Sequence, residues 1–121
     1  MTRRSKNPFV HAFRGMLETY RSERNFRIHL AVAAVAVGFG LWMELSASEW
    51  RWIVLCIALV CALELMNTAV EALVDLLSPA EHPLARKAKD AAAGAVLVAA
   101  AFSVVVGWSI FFPKLWGYLF G

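Results

Sequence analysis

The chain has 121 residues, of which 60% are hydrophobic and 17% carry a charge. One domain of that length has too little interior to hide so much apolar surface from water, which excludes an ordinary soluble globule. The net charge of +3 comes without an aromatic-basic module for nucleic acid, so it reads as topology and affinity for anionic headgroups, with no nucleic-acid partner.

At the N-terminal end, Phe9, Phe13, Met16, Leu17 and Tyr20 recur at helical spacing, while Arg14, Glu18 and Arg21 occupy other faces. Asn7 before Pro8 supplies a cap and a first-turn residue. The pattern predicts an amphipathic surface helix over about 8–22, lying at headgroup level. The opening of the chain is polar and basic without an apolar run before a small-residue site, so no cleavable signal peptide is expected. Leu30–Met43 is free of charge, and Phe26, Ile28 and Leu45 lengthen it if Arg27 snorkels to the interface. A first membrane helix is expected over about 26–45.

Ser46 and Glu49 have capping-box spacing, and Leu45 and Trp50 can staple across the box, so a second membrane helix should begin near Ala47. The connection is short, and short connections join antiparallel neighbours. This second helix, over about 48–77, carries Glu64, Glu71 and Asp75. Ser78-Pro79 and His82-Pro83 then break the chain into a compact loop of mixed charge, the best place for a soluble ligand. Ala91–Pro113 is charge-free and long enough to cross a hydrocarbon core of about 30 Å, giving a third membrane helix over about 84–112. Ala34, Gly38 and the small residues of 91–95 allow close helix approach. Cys56 and Cys61 fit neither a redox pair nor a zinc site and read as small buried hydrophobes.

Orientation follows from basic residues. Arg3, Arg4, Lys6, Arg14, Arg21, Arg24 and Arg27 precede the first span, and Arg86, Lys87 and Lys89 lie between the second and third. Arg51 and Lys114 are all that the opposite side holds. Basic loops stay on the cytoplasmic side, which places Met1 and the Ser78–Asp90 loop there and the Glu44–Arg51 loop and Gly121 outside.

On a helical wheel Glu64 and Glu71 fall about 20° apart, with Asp75 about 20° to the other side and Asn67 and Thr68 flanking them. Charged groups in a bilayer cost several kcal/mol unless they meet partners, water or an ion, so this face must look inward. Three readings fit it: a structural polar network, a proton or cation pathway, and an oxyanion or metal site. Glu71 would lie near the interface and Glu64 about 10.5 Å deeper, where a site could meet a soluble ligand from one side and lipid from the other. The third span holds nothing more polar than Ser103 and Ser109, which weakens the pathway reading. No GxxxxGK[ST] and no HRD or DFG set is present.

The run Glu64-Leu-Met-Asn67-Thr-Ala-Val-Glu71-Ala-Leu-Val-Asp75, followed by His82 and Ala88-Lys89-Asp90, resembles the signature of the prokaryotic diacylglycerol kinase and undecaprenol kinase family. Upstream, Arg14-Gly15 and Glu23-Arg-Asn-Phe-Arg-Ile-His29 extend the resemblance over essentially the whole chain. It implies an all-α membrane protein, an N-terminal surface helix plus three transmembrane helices, assembled as a homotrimeric bundle in the inner membrane of a prokaryote with active sites shared between protomers. It further implies an ATP-dependent lipid kinase in which Glu64 is the catalytic base and Asn67 positions the reacting groups. Glu23 and Glu71 would bind the Mg2+ that accompanies ATP, Glu81, His82, Lys89 and Asp90 would contact the nucleotide, and Arg14, His29 and Glu64 the lipid. These roles suit phosphoryl transfer, which needs positioning, a divalent ion over the phosphate oxygens and a carboxylate near the attacking hydroxyl.

The string Glu23–His29 resembles the undecaprenol kinase branch, whereas diacylglycerol kinases of the family often carry an acid at the position of His29. The expected acceptor is therefore undecaprenol, with diacylglycerol as the alternative. Outside the lipid kinases, a small proton-coupled transporter using Glu64 and a noncatalytic helix-packing subunit are the remaining readings.

Overall fold

The computed structural model describes residues 6–121; Met1, Arg3 and Arg4, which enter the orientation argument, lie outside the described residues. Four helices follow one another: α1 (Pro8–Ser22), α2 (Arg24–Trp42), α3 (Ala47–Leu77) and α4 (Pro83–Phe120). The last three are long and apolar enough to cross a membrane. The fold is all-α, as the sequence implies, and the protein is a membrane protein.

Asn7 caps α1 by accepting from the Phe9 N–H at 2.9 Å, with Pro8 in the first turn. Its apolar stripe stays uncovered by the rest of the chain, Phe9 being 72% and Phe13 67% exposed, as a helix resting on a bilayer requires. A single extended residue, Glu23 (φ −111°, ψ 111°), separates α1 from α2. Arg27, expected to reach the interface, is directed at the surface helix. It folds back so that Nη1 donates to the Tyr20 carbonyl at 2.8 Å and the Arg21 carbonyl at 3.0 Å. Those carbonyls are the unsatisfied, electronegative end of α1, and a cation within reach is held there more strongly than by headgroup water.

The turn from α2 to α3 closes by the Met43 N–H bonding to the Phe39 carbonyl at 2.8 Å and the Leu45 N–H to the Gly40 carbonyl at 3.2 Å. Between them Glu44 takes the left-handed conformation usually given to glycine, φ 54°. The capping box forms: the Glu49 N–H donates to Ser46 Oγ at 3.2 Å and the Ser46 N–H to Glu49 Oε1 at 2.9 Å. Leu45, Ile53 and Ile110 make a buried cluster with Trp50, Ile57, Val106 and Phe111 against it. Gly40 is required here, because a Cβ at that position would come within 2.7 Å of the Trp50 ring and 2.9 Å of Leu45.

α3 packs chiefly on α4 and less on α2. Two ion pairs clasp the α3–α4 pair near its ends, Glu49 with Lys114 at 3.1 Å and Asp75 with Lys89. α4 continues through Pro113 to Phe120, beyond the expected 84–112. One proline removes only one helical N–H, and neighbours compensate in membrane helices. Here Lys114 is fixed to Glu49, and the i, i+4 rings Trp108, Phe112, Trp116 and Phe120 lie against one another with centroids 4.6–6.0 Å apart.

Candidate active site

Glu64 lies on α3 and is only 4% exposed. Its Oε1 is 3.1 Å from Nε2 of His29, which arrives from α2. Titratable groups within electrostatic reach of Glu64 include His29, Glu23, Glu71 and Cys61. The one-residue break between α1 and α2 delivers Glu23, and the next two turns of α3 deliver Asn67 and Glu71. Asn67 Oδ1 is buried and has no hydrogen-bond partner among the described residues. A buried amide oxygen left so is costly unless a ligand or a partner completes it. Thr68, flanking the stripe, bonds back to the Glu64 carbonyl at 3.1 Å and adds no catalytic group.

The second group of expected residues gathers one level away. Glu81, His82, Lys89 and Asp90 all line an open cleft of about 400 Å³ formed by the end of α3, the 78–82 loop and the first turns of α4. His82 has a local task in addition: its Nδ1 accepts from the Leu84 N–H at 3.1 Å and caps α4, so the other edge of the ring is the one available to a ligand. Lys89 links the two groups. It pairs with Asp75 and lies within electrostatic reach of Glu71. Arg14 is not brought in; it is exposed on α1 and lines neither cleft.

Two cleft residues were absent from the expected site. In the sequence Asp75 belongs to the carboxylate stripe and Arg86 to the basic residues that set topology, and in the structure both line the cleft. The signal for Arg86 was its i, i+3 and i, i+4 spacing to Lys89 and Asp90, which puts the three on one face.

A longer apolar groove of about 580 Å³ runs between α2 and α4 over α3, from His29 and Cys61 at one end to Met43, Ile53 and Leu115 at the other. Its polar side chains are His29 and Ser103. Glu64 itself lines neither; along α3 it falls between Cys61, on the groove, and Val74, where the charged cleft begins, and its neighbour His29 opens onto the groove.

Residues 10–111 match the family described as prokaryotic diacylglycerol kinase. The chain belongs to that family. Among relatives, an undecaprenol kinase of Bacillus subtilis is 53% identical over 88% of this chain and 87% of its own length. A diacylglycerol kinase of Synechocystis is 40% identical over 88% of this chain and 62% of its own. A diacylglycerol kinase of Escherichia coli is 29% identical over 83% and 81%. The family and its relatives are lipid kinases, so this protein is an enzyme of the membrane whose substrates are a lipid and ATP. The transporter and noncatalytic readings of the carboxylate stripe fall with that membership.

Proposed function

We propose that the protein transfers the γ-phosphoryl group of ATP to the hydroxyl of undecaprenol, with diacylglycerol as the weaker acceptor. The observation that carries the reading is the buried Glu64 against His29, which lines the end of the apolar groove, on the same helix whose last turns form the charged cleft. The similarity to an undecaprenol kinase at 53% identity, above that to the diacylglycerol kinases, favours the polyprenyl acceptor. The groove suits a single long apolar tail, and His29 at its end suits a single hydroxyl.

Glu64 is the general base. As the acceptor oxygen attacks the γ-phosphorus, its O–H bond breaks and the proton passes to the carboxylate, while ADP leaves with the electron pair of the bridging oxygen. Asn67 orients the reacting groups, its unpartnered Oδ1 being completed in the loaded site. Lys89 and Arg86 face the phosphates, Glu81, His82 and Asp90 hold the rest of the nucleotide, and Arg14 meets the lipid headgroup region. Glu23 and Glu71 would hold Mg2+. Both lie within electrostatic reach of Glu64, and among the described residues no group of three His, Cys, Asp or Glu forms a closed cage. Two carboxylates completed by phosphate oxygens and water are what magnesium usually takes. When bound, the ion neutralises charge on the transferring phosphate.

We further take the active form to be a homotrimer in the inner membrane, with its N-terminus and the 78–82 loop in the cytoplasm where ATP is found. Support comes from the clustering of basic residues and from long apolar helices that one chain leaves largely uncovered. The deciding experiment offers purified protein labelled ATP and magnesium with undecaprenol and diacylglycerol side by side in one detergent. Undecaprenyl phosphate should dominate; a clear preference for diacylglycerol reverses the acceptor and leaves the chemistry intact.

A further inference from the structure

We propose that His29 is a positioning residue for the transfer step: its imidazole holds the Glu64 carboxylate in one orientation through the close approach of Nε2 to Oε1, leaving Oε2 to meet the acceptor hydroxyl. The inference deepens the base assignment made above and rests on it.

The contact is 3.1 Å long and joins α2 to α3. Among the described residues no other donor reaches the Glu64 carboxylate. The Thr68 hydroxyl bonds the backbone carbonyl of Glu64 instead, Asn67 presents a buried acceptor oxygen without a partner, and Glu23 and Glu71 carry like charge. A glutamate with three rotatable side-chain bonds, repelled by two neighbouring carboxylates, would otherwise swing among rotamers. General-base catalysis needs it within about 3 Å of the proton it removes. The imidazole restricts that motion through a polar contact made where little water competes, since the Glu64 side chain is 5% exposed.

The same ring lines the end of the apolar groove. A lipid that fills the groove therefore brings its hydroxyl alongside the residue that orients the base, so binding and alignment are coupled through one side chain. During transfer the hydroxyl proton goes to Oε2 of Glu64, the new O–P bond forms and ADP departs. His29 gains and loses no proton in that step and does not touch the phosphorus.

The test uses the full chain in lipid-detergent micelles, with undecaprenol as acceptor and four variants: His29→Leu, His29→Gln, Glu64→Gln and the double His29→Leu/Glu64→Gln. His29→Leu should lower kcat about ten- to hundredfold, the size of a lost hydrogen bond to a charged group, with the KM for ATP unchanged. His29→Gln, which retains an N–H donor, should recover most of that loss. In the Glu64→Gln background the second substitution should cost nothing further, because the oriented group is already gone. Nucleotide binding by each variant, measured in parallel, separates misfolding from slow chemistry, and His29→Met serves if the leucine variant does not bind nucleotide. A His29→Leu enzyme with normal kcat and a raised KM for lipid alone overturns the proposal, as does a glutamine variant no better than leucine, or losses that multiply in the double variant. If Glu64→Gln itself turns over normally, the base assignment fails first; if Glu64→Gln is slow and His29→Leu is not, the positioning role alone is lost.

Discussion

The two ends of the helical hairpins are built on opposite terms. At the α2–α3 turn Glu49 is used twice, closing the capping box and pairing with Lys114. Gly40 lets Trp50 and Leu45 press onto α2, and the Trp42 and Tyr118 rings meet edge to face at 5.1 Å. At the α3–α4 loop the polar groups are left available. Asp75 and Lys89 pair at a half-open surface, Asn67 keeps an unpartnered oxygen, and the charged cleft opens beside them. α3 and α4 belong to both ends. Closing them firmly at one end allows charges to gather at the other without the pair separating, which is how a chain of 121 residues can hold a carboxylate cluster in a membrane.

That contrast breaks if substitutions at the two ends fail in the same way. The largest effect belongs to Glu64→Gln, which should slow turnover about 10²–10⁴-fold, the usual cost of a general base, while nucleotide binding persists. Near-normal turnover would make the stripe a structural cluster after all. Glu71→Gln comes next. It should raise the metal and ATP concentrations needed for half-maximal rate about tenfold or more and recover part of its rate in excess magnesium or manganese, since the lost group supplies charge and an oxygen to the ion. Equal rescue of both variants by metal would show that the two glutamates share one role.

At the turn end the readout moves from kinetics to stability. Gly40→Ala should destabilise the folded chain by about 1–2 kcal/mol in a detergent unfolding titration, overpacking against Trp50 outweighing the better helix propensity of alanine. Its kcat should stay unchanged. Glu49→Ala gives the smallest effect, about 1 kcal/mol, from one lost cap and one partly exposed ion pair, again without a kinetic signature. A turnover defect in either variant would mean that the closed end governs the site directly.

The hydrophobic fraction and three apolar stretches already dictate membrane helices, because no other arrangement satisfies backbone groups in lipid with so few loops. The Asn7 cap, the Ser46–Glu49 box and the Leu45–Trp50 contact were readable from spacing, since each depends on residues a few positions apart. So was the stripe of Glu64, Asn67 and Glu71, which one helix puts on one face. What sequence could not supply were pairings across helices: Arg27 turning back onto α1, Lys114 reaching Glu49 and so carrying α4 past Pro113, and Lys89 meeting Asp75. These depend on the relative rotation and depth of separate helices, which local periodicity leaves free. His29 makes the point at the site itself. On its own helix it is one histidine near an interface, and only the packing of α2 on α3 sets its Nε2 against the buried carboxylate, because a contact between helices exists only once both backbones are fixed.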